Sequence, residues 1–397
     1  MKISLIQPGR NNLKYLKWSY DSIRKNQGNH EVEICVADDA STDGTWDWCQ
    51  EMMSKDPNFK AILNDTGERL GHTILYDRLI NEVATNDICM IYHADMYLCP
   101  DALDAIEEEL KEKTIVSLTR IEPPLHPDGP EKILRNFGVE PEEFDEQGLL
   151  DFLNSRVPND STTEGIFAPW AFWKSDFQEI GGHDPLYAPQ SKEDSDIFNR
   201  FQLNGIKFIQ TWHGCVYHMT CRGSRRNTVD KAKNIYEDSP EWLAQNMRST
   251  RNFIRKWGHF VKHDALMKPI IPPKYNVAFR VHNCTLPLLE ALEPWCDMFY
   301  GDGEWFVYEQ YIQKEQSNTQ FALSDKIKPL QAELYNDFEG IVVIIDGTKF
   351  NNQDFHIIQQ LSEIIQDSGE LGEFELGNLN FIIKDLTTHE NELIICA

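Results

Sequence analysis

The chain has 397 residues and a formal net charge of −26, from 38 Lys+Arg against 64 Asp+Glu. That length predicts two or three domains, and a core is buried at this size without a disulfide or metal staple. The charge repels phosphate backbones and anionic lipid, which excludes non-specific nucleic-acid binding and a polybasic membrane anchor and leaves a divalent cation as the more natural partner. Nine scattered cysteines without a Cys-x-x-Cys spacing predict reduced thiols in a cytoplasmic protein. The apolar run at Met1–Gln7 is too short for a signal peptide, and no stretch approaches the 18 apolar residues of a transmembrane segment.

Strands and helices alternate through the first hundred residues. Strands are expected at Ile3–Gln7, Glu31–Ala37, Phe59–Asn64 and Ile88–His93, and helices at Leu13–Arg24, Thr45–Met53 and His72–Glu82. This alternation implies parallel βαβ units with right-handed crossovers. Residues 121–165, rich in Pro, Asp, Glu and Gly, read as a loop insertion with a helix or two. A turn at Gly181-Gly182, a helix at Glu193–Leu203 and a strand at Ile206–Trp212 follow, and residues 229–263 read as helical. Pro269, Pro272 and Pro273 mark a linker. Beyond it come a strand at Asn276–Val281, helices at Leu286–Leu292 and Glu304–Gln316, and a buried strand at Gly340–Asp346. A helix at Asp354–Gln366 and short strands at Phe381–Ile383 and Glu392–Ile395 complete the pattern.

Four constellations carry chemistry-bearing residues. The first is Asp38-Asp39-Ala40-Ser41-Thr42-Asp43-Gly44-Thr45, directly after a strand. As a calcium loop it fails, because its twelfth position is Gln50, which gives no bidentate carboxylate. The second is Tyr92-His93-Ala94-Asp95-Met96, after a buried strand. Polar residues just past the C-terminal ends of parallel strands line the ligand crevice of such sheets, and both clusters have that position. The third joins Gly181-Gly182-His183-Asp184 to Glu193-Asp194-Ser195-Asp196 and Arg200; acids also suit a helix N-terminus for dipole reasons alone. The fourth is Trp212-His213-Gly214-Cys215-Val216-Tyr217-His218, followed by Arg222, Arg225 and Arg226.

In this order, over about 220 residues, the four resemble glycosyltransferase family 2. That family opens on a strand, a helix and a second strand ending in Asp-Asp-x-Ser-x-Asp-x-Thr, and here "SLIQPGRN", containing Pro8, precedes "VEICVADDASTDGT". Its later pattern runs Phe-x-x-Ile-Gly-Gly-Phe-Asp, then Glu-Asp-x-Asp and an Arg. This chain has Phe177 to Asp184, with His183 at the second aromatic place, then Glu193, Asp194, Asp196 and Arg200. Two departures stand out. His93 replaces the first acid of the family's Asp-x-Asp, and an Arg-Asn pair of the family appears as Asp77-Arg78.

The resemblance implies an α/β GT-A-type domain over residues 1–265, with a mostly parallel central sheet and a helical extension at 229–265. A linker at 266–274 and a smaller α/β domain at 275–397, which the resemblance does not reach, complete the chain. It implies an inverting, metal-assisted transfer of a sugar from a nucleoside diphosphate sugar, UDP- or other, to a saccharide or other hydroxyl acceptor. Asp194 is then the general base, since an alcohol attacks poorly until its proton is being taken, with Glu193 as its neighbour. Pro8, Asp38, Asp39, Arg78, His93, Asp95 and Arg222 are expected at the nucleotide sugar. Asp95 and His218, with His213 as fallback, are expected at a divalent metal, manganese or magnesium. The Arg222–Arg226 segment reads either as a loop closing on the diphosphate or as a salt-bridged surface loop. The C-terminal domain is a candidate for acceptor recognition, oligomerisation or a second activity. A non-catalytic sugar-nucleotide or metal-binding protein is the alternative reading, with His93 as its best support.

Overall fold

The structure, a computed structural model, describes residues 1–220, 226–230, 235–331 and 337–396, the side chains of 226–230 and 235–237 excepted. The chain divides into two compact units. The first holds residues 1–245, 263–270 and 395–397, and the second holds 246–262 and 271–394.

In the first unit, apolar residues on both faces of β1 (Lys2–Gly9) commit it to the middle of a sheet. Helix α1 (Leu13–Asn26) turns Leu16, Ser19 and Ile23 inward at helical spacing. Strand β2 (Glu31–Asp38), helix α2 (Thr45–Lys55), β3 (Phe59–Leu63) and α3 (His72–Arg78) follow, with one π-helical turn at Leu79–Val83 in place of the helix end expected at Glu82. After β4 (Ile88–Ile91) come β5 (Met96–Leu98), α4 (Ala102–Glu109) and β6 (Thr114–Glu122). All nine residues of β6 are buried. The expected insertion contains β7 (Lys132–Leu134), α5 (Glu146–Ser155) and β8 (Thr162–Thr163). Strand β9 (Trp170–Trp173), α6 (Lys174–Glu179), α7 (Glu193–Leu203) and the long β10 (Lys207–His218) complete the sheet.

The sheet order is β3-β2-β1-β4-β9-β6-β10-β5, with β7 and β8 at its side. Strands β1 to β4, β6 and β10 run one way, while β5 and β9 oppose them. This is the α/β architecture, with a mostly parallel central sheet, that the sequence predicts.

The span expected to be helical from residue 229 instead overlaps an antiparallel pair of strands, β11 (Arg226–Asp230) and β12 (Ile235–Asp238). Helix α8 (Pro240–Trp257) starts only where Pro240 pre-sets φ and the Ser239 hydroxyl accepts from the Trp242 N–H. The division between the units falls within α8, and residues 263–270 belong to the first unit.

The second unit is built on β13 (Val277–His282), α9 (Leu286–Leu292), β14 (Met298–Gly301), α10 (Trp305–Glu315), α11 (Leu323–Lys326) and β15 (Ile327–Pro329). These are followed by β16 (Ile341–Asp346), α12 (Asn352–Gln359), α13 (Leu361–Ser368), β17 (Gly372–Leu376) and β18 (Leu379–Ile383). The strand order is β15-β14-β13-β16-β18-β17, the first four parallel. The single helix expected at 354–366 is two, parted at Gln360, and the strand expected at 392–395 is a 3-10 turn at Glu390–Leu393. Phe279, Leu289, Phe299 and Val343 are fully buried in the core. Among the described residues no helix is long and apolar enough to cross a membrane, and the eight described cysteines are free thiols.

One buried ionic cluster holds the second unit's helices together. Glu293 is fully enclosed and accepts from Arg255 Nη2 at 2.6 Å and the Tyr311 hydroxyl at 2.8 Å, while Lys326 Nζ lies 2.7 Å away. Burial alone would raise the Glu293 carboxyl, but Lys326 and Arg255 outweigh it and hold it at about 2. Removing one member strands the others without compensation. Glu293→Ala is therefore expected to cost about 3–5 kcal/mol in urea unfolding of the full chain, and a loss below 1 kcal/mol would contradict the cluster's role. Because the folded pKa is depressed, this stabilisation is complete above the unfolded carboxyl value of about 4.3. It should fade as pH falls towards 2.

Candidate active site

The co-directed strands of the first unit end at one edge of the sheet. Their last residues and the loops beyond carry Gly9, Asp38, His93, Glu122 and His218. A cavity of about 470 Å³ opens there, and it is lined by Pro8, Asp39, His93, Asp95 and His218 among others. That size suits a small-molecule ligand. Arg10, Arg69, Arg120 and Lys132 also line it, so an acidic chain gathers four cations at one opening.

At the β1–β2 end, the Asp39 carboxylate accepts from the backbone N–H of Leu70 and Gly71 at 2.9 Å each and from Asn64 Nδ2 at 2.7 Å. It therefore anchors the 64–71 segment as well as bordering the cavity. Gly71 is required there, since its φ is +80° and a Cβ would sit 2.0 Å from the Pro189 carbonyl. Asp38 is fully buried and turns one oxygen back to the Ser41 N–H; it does not line the cavity. Asp43 accepts from the Leu13 N–H and from Thr45, tying the starts of α1 and α2 together.

At the middle of the edge, His93, Asp95 and His218 each offer one ligand atom, all within 4.8 Å of one another. Two imidazole nitrogens and a carboxylate oxygen are a donor set suited to a divalent transition metal, so the residues present fit such an ion. Burial lowers the His93 pKa to about 3, which keeps the ring neutral with a lone pair to give. His218 Nε2 lies 3.4 Å from Asp95, and its Nδ1 donates to Glu122 at 2.8 Å. Burial alone would lower the His218 pKa, but Asp95 and Glu122 outweigh it and raise it to about 9, so a metal bound there would take the place of the Nε2 proton. Burial would likewise raise Glu122, yet His218, Arg120 and Lys132 hold it well below the usual carboxylate range. Glu122 is fixed in turn by Arg120 Nη1 at 3.0 Å. A carboxylate behind a ligating imidazole sets both the tautomer and the ring's direction.

The third group sits at the N-terminus of α7. Glu193 is buried and Asp194 half-buried. Burial and the neighbouring Asp194 charge raise the Glu193 carboxyl, and burial raises Asp194 against the opposing charge of His183. Neither residue lines the cavity, but Arg69, which does, senses the Glu193 charge. Tyr76 is held well above its ordinary pKa by burial and by Asp194, Glu193 and Asp95 together. The rest of this motif is structural. Fully enclosed Arg200 binds Asp196 at 2.7 Å and the carbonyls of Ile180 and Gly182 at 2.9 and 2.6 Å, which pins the Gly181-Gly182 turn to α7.

The other expected residues are placed differently. Arg78 pairs with Glu82 along the helix surface at 3.5 Å and stands clear of the cavity, because the α3 turn that carries it directs Asp77, not Arg78, at the Gly182–His183 turn. His213 is exposed in the irregular stretch of β10, where the pairing with β6 shifts register between Thr211 and Cys215. Arg222 and Arg225, and the side chain of Arg226, lie outside the described residues. Sequence reasoning missed Arg69, Arg120, Glu122 and Lys132. The signal that could have found Glu122 is an acid closing a strand with Pro123-Pro124 after it, the same position that singled out Asp39 and Asp95.

Residues 4–181 match the family model described as Glycosyl transferase family 2. Over 119 residues the chain is 29% identical to abequosyltransferase RfbV of Salmonella typhimurium; the match covers 30% of this chain and 35% of that protein. Among solved structures it is similar to a mannosyltransferase, PcManGT, from Pyrobaculum calidifontis in complex with GDP-Man and Mn2+. The identity is 19%, the TM-score 0.40, and the match covers 55% of this chain and 57% of that one. It is similar also to GalNAc-T7 with UDP, GalNAc and Mn2+, at 12% identity and a TM-score of 0.46, covering 64% and 48%. The chain thus spans about a third of the curated relative and about half of each structure. The match to the family model is confined to residues 4–181, under half of the chain.

Proposed function

We propose that the first unit transfers a sugar from a nucleoside diphosphate sugar to an acceptor hydroxyl with inversion, in a GT-A-type site assisted by a divalent metal. One observation carries the reading: the His93–Asp95–His218 donor set and Asp39 border one cavity, and the Glu193–Asp194 pair lies within electrostatic reach of it. Asp39 and the Pro8 loop take the nucleoside end, and Arg69 takes the diphosphate side. Asp95, His218 and His93 would hold a divalent ion, which would supply positive charge where the leaving diphosphate accumulates negative charge. Asp194 accepts the acceptor proton while that oxygen forms its bond to the anomeric carbon. The bond from the anomeric carbon to the diphosphate oxygen breaks, and the nucleoside diphosphate leaves with the electron pair. Glu193, kept largely protonated by its surroundings, spares Asp194 a second adjacent negative charge. The free thiols support a cytoplasmic location. The second unit is assigned to acceptor recognition or oligomerisation.

Asp194→Asn is expected to bind nucleoside diphosphate within twofold of wild type in calorimetry with Mn2+, yet to lower transfer by about 10²–10⁴-fold. Transfer at the wild-type rate would remove Asp194 from the role. Binding without turnover in the wild type, across a panel of UDP-, GDP- and CDP-sugars, would favour the non-catalytic reading. The two arginines should separate cleanly in the same titration. Arg69→Ala should weaken nucleoside diphosphate binding by about tenfold or more, the worth of a charge-assisted contact, while Arg78→Ala should leave it within twofold. Because burial raises the Asp194 carboxyl, the transfer rate should still be climbing with pH above the range of an ordinary aspartate, about 3.9. A rate already flat from pH 5 upwards would contradict that assignment.

A further inference from the structure

The second unit holds a cavity of about 570 Å³ of its own. It opens between the C-terminal half of α8, the ends of α9 and α10, and α12, and every residue that lines it belongs to that unit. The volume falls in the range of small-molecule sites.

Three aromatic rings form part of the wall. Phe260 meets Trp295 at 4.9 Å between centroids and 84°, and Trp295 meets Phe355 at 6.1 Å and 83°. Trp295 is buried and Phe355 half-buried, whereas Phe260 keeps 38% of its surface exposed. The Phe260 ring is therefore braced from one side and still offers apolar surface to the opening.

The rest of the wall is polar, and its charges cancel. Arg251 gives Nε and Nη2 to Glu315 at 2.7 and 2.9 Å, and Lys314 Nζ lies 3.0 Å from Glu290. These two cations and two acids are the charged residues of the lining. Glu315 also accepts from Arg255 at 2.9 Å, and the Tyr311 hydroxyl is tied to Glu293, so the buried ionic cluster fixes this wall before any ligand arrives. A wall already ordered keeps the cost of binding low. Arg251 Nη1 has no hydrogen-bond partner among the described residues, and Thr250, Asn318 and Gln359 add uncharged polar groups.

This lining selects a ligand class. An anion meets no uncompensated cation, because each is paired to an acid of the same wall. A wholly apolar ligand would take water from four charged side chains without replacing its hydrogen bonds. A saccharide meets both demands. The C–H face of a sugar ring covers an aromatic ring, while its hydroxyls donate to carboxylates and accept from guanidinium and amide N–H groups.

We propose that this cavity binds a neutral saccharide, and that through it the second unit holds the acceptor. The saccharide's role as acceptor rests on the glycosyl-transfer reading, but its binding does not.

The test titrates the full chain, without nucleotide, by saturation-transfer NMR and calorimetry. The probes are neutral oligosaccharides of glucose, galactose, mannose, rhamnose and N-acetylglucosamine, beside the same panel carrying uronic acids. At least one neutral oligosaccharide is expected to bind. Phe260→Ala should weaken that binding by about fivefold, and Phe260→Trp, which keeps an aromatic face, should retain it. Gln359→Ala, at a half-buried polar position that ends α12, should also weaken it by about fivefold. No binding by any neutral member, binding confined to the uronic acids, or binding unmoved in both alanine variants would overturn the proposal. A wild type that binds a neutral oligosaccharide through Phe260, yet releases no nucleoside diphosphate from any nucleotide sugar beside it, would refute the glycosyl-transfer reading and leave the saccharide site standing.

Discussion

The hydrogen-bonded chain from Glu122 through His218 to Asp95 is the interaction on which the site depends. It joins the ends of β6 and β10 to the loop after β4, so three strands far apart in sequence must stop in register for it to exist. Each of its members is costly to bury alone. Glu122 is enclosed and survives as an anion because Arg120, Lys132 and His218 surround it. His218 tolerates charge because it has a carboxylate on either side. The network is worth little as a source of stability in itself, since desolvation consumes most of the attraction. Its value lies in direction: with Nδ1 committed to Glu122, Nε2 is turned to Asp95 and His93, and the three ligand atoms share one point of the cavity.

The motifs divide into residues that build and residues that remain available. Asp43 fastens two helix starts, and Asp196 and Arg200 fasten the Gly181-Gly182 turn. These groups have their bonding capacity filled by the protein. Asp39 is intermediate, because it anchors the 64–71 segment while bordering the cavity. By contrast Glu193 Oε2 and His183 Nε2 are buried atoms without partners among the described residues. A protein of net charge −26 thus keeps its costly electrostatics in a few places, where cations such as Arg69, Arg120 and Lys132 are concentrated.

Much of this was legible from sequence because strands β1, β2 and β4 are largely apolar, and β2 and β4 lead into the acids Asp38-Asp39 and Asp95. Periodicity locates such strands, and the parallel arrangement then puts their ends at one edge. Strand β6 was not legible. Thr114, Ser117, Thr119, Arg120 and Glu122 break its apolar run, although every one of them is buried and several are paired across the sheet. With β6 went Glu122 and Arg120. Arg78 was misplaced because a two-residue match gives no helical phase; the α3 turn directs Asp77 to His183 and leaves Arg78 against Glu82. The span from residue 229 was read as helix because its composition is helix-tolerant, although β11 and β12 pair antiparallel there and the helix itself needs the Ser239-Pro240 start.

Locating a metal and a diphosphate together tests the central claim most directly. Crystals of the full chain soaked with MnCl2 and a nucleoside diphosphate should give a manganese anomalous peak bounded by His93, Asp95 and His218, with the diphosphate oxygens between that peak and Arg69. A peak confined to another acidic group, such as His30, Asp104 and Glu107, or a nucleotide bound outside the cavity at the strand ends, would contradict the account.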